Sequence, residues 1–269
     1  MSSSHYAHGT DPAEQQRLTA MNRLLNDAFV AQAGLAEGER VLDFGAGLGQ
    51  LSRAMAKVTG VPVVGLERSD AQIREAKAQA ASEGESHLID MRQGSVEAPP
   101  LGVDEWGSFD VAHARFLLEH VPDPLTVVRT MVRAVRRGGR IILADDDYDV
   151  MRLWPEPPGL APVWQAYQRT YDRHRNDPIV GRRLVQLLHQ AGAQPRRNTW
   201  VFFGGCAGHP DFEGYALNLA KIIEEAVDEI ADTGTPPESV HAALEALSIW
   251  RKRPDAAMWH GISWAEGVA

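Results

Sequence analysis

Cys206 is the single cysteine among 269 residues, so no intrachain disulfide can form and nothing marks the chain for an oxidising compartment. Basic residues are also scarce: 27 Lys and Arg against 36 Asp and Glu leave a net charge of −9. Binding along a phosphate backbone needs a basic face that displaces counterions, so no nucleic-acid partner is expected. The local clusters RAVRRGGR (133–140) and WRKRP (250–254) read as solvated faces, the first at a helix end where cations meet the negative end of the dipole. No run of about 20 apolar residues occurs, and the opening MSSSHYAHGTDPAEQQ has neither a basic nor an apolar leader region. A cytoplasmic protein with no membrane partner is the expectation.

What the chain does have is enough apolar content, 44%, for one large core. Leu18, Met21, Leu25, Ala28 and Phe29 recur at helical spacing behind Asp11 as N-cap and Pro12 at the first helical position, which predicts an amphipathic helix over 12–33 within an N-terminal helical segment, 1–37. From Arg40 short apolar runs alternate with helical stretches. Strands are predicted at 40–45, 61–67, 88–94, 109–115 and 140–147, and helices at 48–58, 70–82 and 123–137, the last ended by Gly138 and Gly139. Such alternation builds a parallel sheet covered on both faces, with ligands at the carboxyl ends of the strands. Past the turn WPEPPG (154–159) the rhythm breaks: helices near 160–175 and 179–191, a strand at 199–205, helices near 211–231 and 237–249, and a final strand at 257–265. With no linker around it, 211–253 reads as a helical cap inserted in the 38–269 domain.

The stretch VLDFGAGLGQLS (41–52) sets Gly45, Gly47 and Gly49 after a strand that carries Asp43. A glycine turn between strand and helix lets the backbone approach a ligand and aims helix N-terminal amides at it. Two ligand classes use this device. The dinucleotide form wants a third glycine where Gln50 stands, and the carboxylate of Asp43 would repel a pyrophosphate but suit an ammonium group. Glu67 closes the next strand, where a carboxylate can accept hydrogen bonds from vicinal ribose hydroxyls.

With VVGLERS, MRQGSVEAPP and FDVAHARFLLEHVPDP following it, this stretch resembles the class I S-adenosylmethionine-dependent methyltransferases, firmly over about 38–145. The resemblance implies an α/β, Rossmann-like, doubly wound sheet of seven strands with the last antiparallel, and S-adenosylmethionine as cofactor. It implies that Gly45, Ala46 and Gly47, with Gly49 completing the turn, cradle the methionine part, that Asp43 orders the loop, that Glu67 takes the ribose hydroxyls and that Arg68 lies beside the adenine. Gly94, Ser95 and Val96 match the segment that usually sets an acid against the adenine amino group. Serine stands there instead, so its hydroxyl or the Val96 backbone is the expected substitute. Ala114 and Arg115 match the position whose backbone meets the methionine ammonium.

Methyl transfer is an in-line displacement that needs positioning and exclusion of water, and a base only where the acceptor loses a proton. His120 is the first candidate base. Asp145, in DDDYD (145–149), is a candidate for substrate contact, although the run as a whole reads as acids bonded to loop amides and arginines rather than as a metal site. His113 reads as a core histidine, and His260 as a residue of the last strand on an outer face. Tyr6 is a candidate to pack on the methionine end of the cofactor. Trp164, Tyr167 and Tyr171 share one helical face with Trp154 ahead of them, and any pocket they line suits a hydrophobic or aromatic small-molecule acceptor. Three functions stay open: methyl transfer to a small organic molecule at O, N or C; binding of the cofactor without transfer, as cyclase, scaffold or regulator; and nicotinamide-dependent oxidoreduction. Exposed cap helices could also pair as a homodimer.

Overall fold

The computed structural model describes Asn22 and residues 25–269. Tyr6, Leu18, Met21 and the proposed cap Asp11–Pro12 lie outside the described residues. The leading helix α1 is seen over 25–33, where Leu25, Phe29 and Ala33 are buried at four-residue intervals and Ala28 is exposed. The buried stripe is thus narrower than the apolar spacing implied.

The parallel half follows as β1 (Val41–Phe44), α2 (Gln50–Thr59), β2 (Val63–Glu67), α3 (Asp70–Ser82), β3 (Ile89–Gln93), β4 (Phe109–Arg115), α4 (Pro124–Ala134) and β5 (Val135–Asp145). Then come β6 (Arg152–Trp154), α5 (Leu160–Arg169), α6 (Leu184–Gln190), β7 (Gln194–Cys206), α7 (Phe212–Glu225), α8 (Val227–Asp232), α9 (Pro237–Trp250) and β8 (Ala257–Val268). The hydrogen-bonded order is β3-β2-β1-β4-β5-β8, with β7 on the far side of β8. β1 to β5 pair parallel, and β8 runs antiparallel to both β5 and β7. The sheet is therefore seven strands wide, as expected. The eighth, three-residue β6 lies in line with β5 along the same side of β8.

Two local devices explain most of the agreement. Ser69 caps α3 by accepting from the Gln72 amide, and Asp123 caps α4 by accepting from Thr126, with Pro124 at its first position. One expectation fails: α4 stops at Ala134 rather than at the glycines. Val135 pairs with Phe109, Arg136 Nε reaches Asp110 Oδ1 at 2.6 Å, and Gly138 adopts a φ of 77°. The diglycine is an irregularity inside β5, and only Arg133 of the basic cluster sits in a helix end.

The core has three main bodies, the third packing Phe29, Met55, Val111, Ile142 and Trp264 on the other face of the sheet. Leu42, Phe44, Val128, Met131, Ile141 and Leu143 pack β1, β4 and β5 under α4. Tyr167, Tyr171, Leu219, Val240 and Leu247 join α5 to α7 and α9. Trp264 is fully buried on β8, packed against Phe29 at 5.9 Å. Trp264→Ala is expected to lower unfolding stability by about 3–5 kcal/mol, measured by urea denaturation.

Candidate active site

β1 is where the strand order turns back on itself, with β2 on one side and β4 on the other, and ligands in open α/β sheets lie beyond such a point. All three glycines of the turn have left-handed backbones there: φ is 73° at Gly45, 55° at Gly47 and 66° at Gly49. That alternation is why glycine recurs at every second position. A Cβ on Gly45 would sit 3.0 Å from Leu117 Cδ1 in the loop after β4, so the turn and that loop face each other closely. Gly49 caps α2 without any side-chain bond. Gln50 opens the helix and its Nε2 donates to Gln79 Oε1 at 2.8 Å, so the third glycine of the dinucleotide form is replaced by a packed polar contact.

Asp43 is buried, and both its oxygens are used. Ser52 Oγ donates to Oδ2 at 2.6 Å, and His113 Nδ1 lies 2.8 Å from Oδ1. The second contact follows from register, since Asp43 stands opposite His113 across β1 and β4. Asp43 therefore ties the strand end to the first turn of α2 and to β4. The structure gives it the work of a brace, not of a direct ligand to an ammonium group, and His113 is the bonded core residue that sequence suggests.

Glu67, at the end of β2, accepts from the Gly47 amide at 3.1 Å and the Ser69 amide at 2.7 Å. Burial raises its pKa above the usual carboxylate range, against the opposing pull of those amides. Arg68 beside it is exposed. Ser95 is exposed past β3, its Oγ accepting from the Glu97 amide at 3.2 Å, with Val96 half-buried against the core. Gly94 is pressed against Pro100, where a Cβ would come within 2.6 Å of its ring. Ala114 is buried at the end of β4, and Arg115 next to it reaches the side chains of Asn26 and Asn22 and stacks over Phe29 at 4.7 Å. Desolvation of the half-buried side chain brings that guanidinium down to about 10.

Phe116 follows with a φ of 51°, a strained setting for an aromatic residue. It opens the wall of a pocket bounded by Tyr148, Trp164, Phe203 and, from α7, Tyr215, Leu219 and Ile222. Asp146 and His260 are also in that wall, Nε2 of His260 lying 2.8 Å from Asp146 Oδ1. Phe116 is followed by Leu117, the residue that faces Gly45, and Asp145 Oδ2 accepts from the amides of Leu117 and Leu118 at 3.1 and 2.8 Å.

Neither His120, the candidate base, nor Asp145, the candidate for substrate contact, is among the residues of this wall. Asp145 is spent on those two amides and on the Asp146 amide at 3.1 Å. His120 lies beneath, its ring stacked on Tyr171 at 5.9 Å and its Nε2 3.5 Å from Glu119. Asp145 thus bonds to loop amides, as the acid run suggests. Asp147 caps the turn after it and pairs with Arg182, as the acid run suggests. Tyr167 and Tyr171 are core, Trp164 lines the pocket, and Trp154 is exposed. His260 is the residue that sequence reasoning misplaced: it faces inward, 8% exposed, because α7 covers β7 and β8 on that side. No local pattern carries that cover.

Glu119 is fully buried near Asp145 and Asp146, and burial holds its carboxyl well above the usual range. As pH rises past the unfolded carboxylate range the unfolded chain ionises first, so stability falls until the folded value is reached. Glu119→Gln should remove that loss, raising the urea midpoint at pH 8 and converging with the native protein near pH 4.

A methyltransferase-domain family model matches residues 13–197. The ubiquinone biosynthesis O-methyltransferase of Pseudomonas aeruginosa strain LESB58 is 39% identical over 132 residues, 49% of this chain and 54% of that protein. The protein of the same name from Xanthomonas oryzae pv. oryzae strain PXO99A is 35% identical over 130 residues, 48% and 52%. The chain spans about half the length of these curated relatives. The geranyl diphosphate C-methyltransferase of Streptomyces coelicolor A3(2) superposes with a TM-score of 0.56 over 97% of this chain and 86% of its own, at 14% identity. The 4+2 cyclase SpnF superposes at 0.53 over 90% and 79%, at 20% identity. The two superpositions establish a shared fold. Because the family match runs through β1 to β6 and into β7, the chain belongs to the methyltransferase-domain family of class I S-adenosylmethionine-dependent enzymes.

Proposed function

We propose that the chain transfers a methyl group from S-adenosylmethionine to a small, largely apolar organic molecule held in the pocket under α7. The observation that carries this reading is the junction itself: the glycine turn meets Leu117, and the residue before Leu117 begins the pocket wall. The donor set fits the cofactor. Glycine backbone that a Cβ would crowd and a carboxyl group at the second strand end suit an amino-acid tail joined to a ribose.

In this reading Gly45, Ala46, Gly47 and Gly49 hold the methionine part, and the backbone of Ala114 and Arg115 meets its ammonium group. Glu67 takes the ribose hydroxyls, Arg68 flanks the adenine, and Ser95 and Val96 meet its amino group. Once bound, the cofactor supplies a methyl carbon made electrophilic by its sulfonium. Phe116, Trp164 and Phe203 keep water from the acceptor and hold it in place. The helices of 211–253 act as a cap that selects the acceptor by shape, and relatives named for O-methylation and C-methylation of small molecules support that class.

Ile222 offers the test, since it lines the pocket from α7 away from the glycine turn. Ile222→Trp should abolish methyl transfer to a panel of one- and two-ring acceptors, followed by release of S-adenosylhomocysteine. Calorimetric affinity for S-adenosylhomocysteine should stay within a few-fold of the native value. Unimpaired transfer by this variant would place the acceptor elsewhere.

A further inference from the structure

In a mostly apolar wall that also carries Asn218, Asp146 and His260 form a buried carboxylate–imidazole pair whose two residues are 9% and 8% exposed. A carboxylate accepts, so His260 Nε2 carries the hydrogen across the 2.8 Å contact and the neutral ring keeps its lone pair on Nδ1. That nitrogen is buried and has no hydrogen-bond partner among the described residues. Buried polar atoms nearly always find a partner, so a bare lone pair on a residue that lines a pocket marks a place where a donor belongs. The ring is held by Phe203, edge to face at 5.4 Å, and by its own place on β8 opposite that residue. Asp146 is fixed in turn, since its amide donates to Asp145, whose carboxylate holds the loop against the glycine turn.

Resting on the methyltransferase reading above, we propose that His260, oriented by Asp146, is the general base of this enzyme and that the acceptor presents a hydroxyl group to it. The acceptor O–H bond breaks and its oxygen forms the new bond to the methyl carbon. The carbon–sulfur bond breaks with its electron pair left on sulfur, and the proton passes to His260 Nδ1. The resulting imidazolium is balanced by the Asp146 carboxylate, and later release of the proton to water restores the pair. Asp146 is a positioning residue: it fixes the tautomer that leaves Nδ1 able to accept.

The test uses the full chain saturated with S-adenosylmethionine and a panel of one- and two-ring phenols, 1-naphthol among them, with the matching thiols. A thiol ionises near neutrality without help, so its methylation does not depend on a base. His260→Gln should lower kcat on the phenols by about 10²–10⁴-fold with KM within a few-fold, and should leave thiol methylation nearly intact. Asp146→Asn should show the same split. Independently of turnover, nitrogen-15 NMR of the native protein should find His260 Nδ1 unprotonated, with its resonance shifted by 1-naphthol and not by 1-methoxynaphthalene. Equal losses on phenols and thiols, a native enzyme that binds cofactor but methylates no phenol, or a protonated Nδ1 would each overturn the proposal. Failure of the native protein to bind S-adenosylhomocysteine would instead overturn the methyltransferase reading itself.

Discussion

Asp43→Ala is expected to weaken S-adenosylhomocysteine binding by about a hundredfold or more, although the variant removes no atom that needs to touch the ligand. The carboxylate holds Ser52 at the start of α2 and His113 on β4. Its loss leaves a buried hydroxyl and a buried imidazole without their partner, each costing about 1–3 kcal/mol. Part of that cost appears as lower stability. The rest is relieved by letting the turn of Gly45, Gly47 and Gly49 relax, and about 1.4 kcal/mol of misplacement is tenfold in affinity. Asp43→Asn keeps the shape and one acceptor oxygen, so it should fold and fall between the two. Calorimetry on both variants, with their melting temperatures taken without ligand, separates the two losses. Native affinity in Asp43→Asn together with a normal melting temperature would remove Asp43 from the site.

The second large effect is expected at Glu67. Two hydrogen bonds from ribose hydroxyls to an ionised carboxylate are worth about 1.5–3 kcal/mol each, so Glu67→Ala should cost about 10²–10⁴-fold in affinity. Glu67→Gln should cost less, because its amide oxygen still accepts. The sign of the pH dependence is fixed by burial, which raises the Glu67 pKa. Binding that needs the ionised form weakens as pH falls through that raised value, earlier than for an ordinary carboxylate. Glu67→Gln should flatten this slope, and titrations between pH 5 and pH 8 check it. A slope that survives the substitution would assign the titration to another group.

These expectations show which parts of the site are written locally and which are not. α3 and β4 begin and end where the sequence predicts, since Ser69 is a cap and Phe109–Arg115 is an apolar run between turn residues. The three glycines and Glu67 are legible because backbone conformation and strand ends leave marks in residue type. The Asp43–His113 contact is not, because it depends on how β1 and β4 align across 70 positions of sequence. For the same reason β5 begins at Val135, pulled out of a helical pattern by pairing with Phe109 and by the Arg136–Asp110 contact. His260 and Asp146 lie 114 residues apart and meet only because β8 returns beside β5 and α7 covers them. Asp145 stands at the end of β5 and His120 in the turn after β4. Tertiary hydrogen bonds to loop amides and a stacked tyrosine give them structural work instead.

The most direct measurement is isothermal titration of the full chain with S-adenosylmethionine, S-adenosylhomocysteine and NADH in parallel. The account predicts saturable one-to-one binding of the first two and none of the third. Binding of NADH alone, or of none of the three, would contradict it, for then the glycine turn would serve another ligand and every residue assigned around it would lose its role.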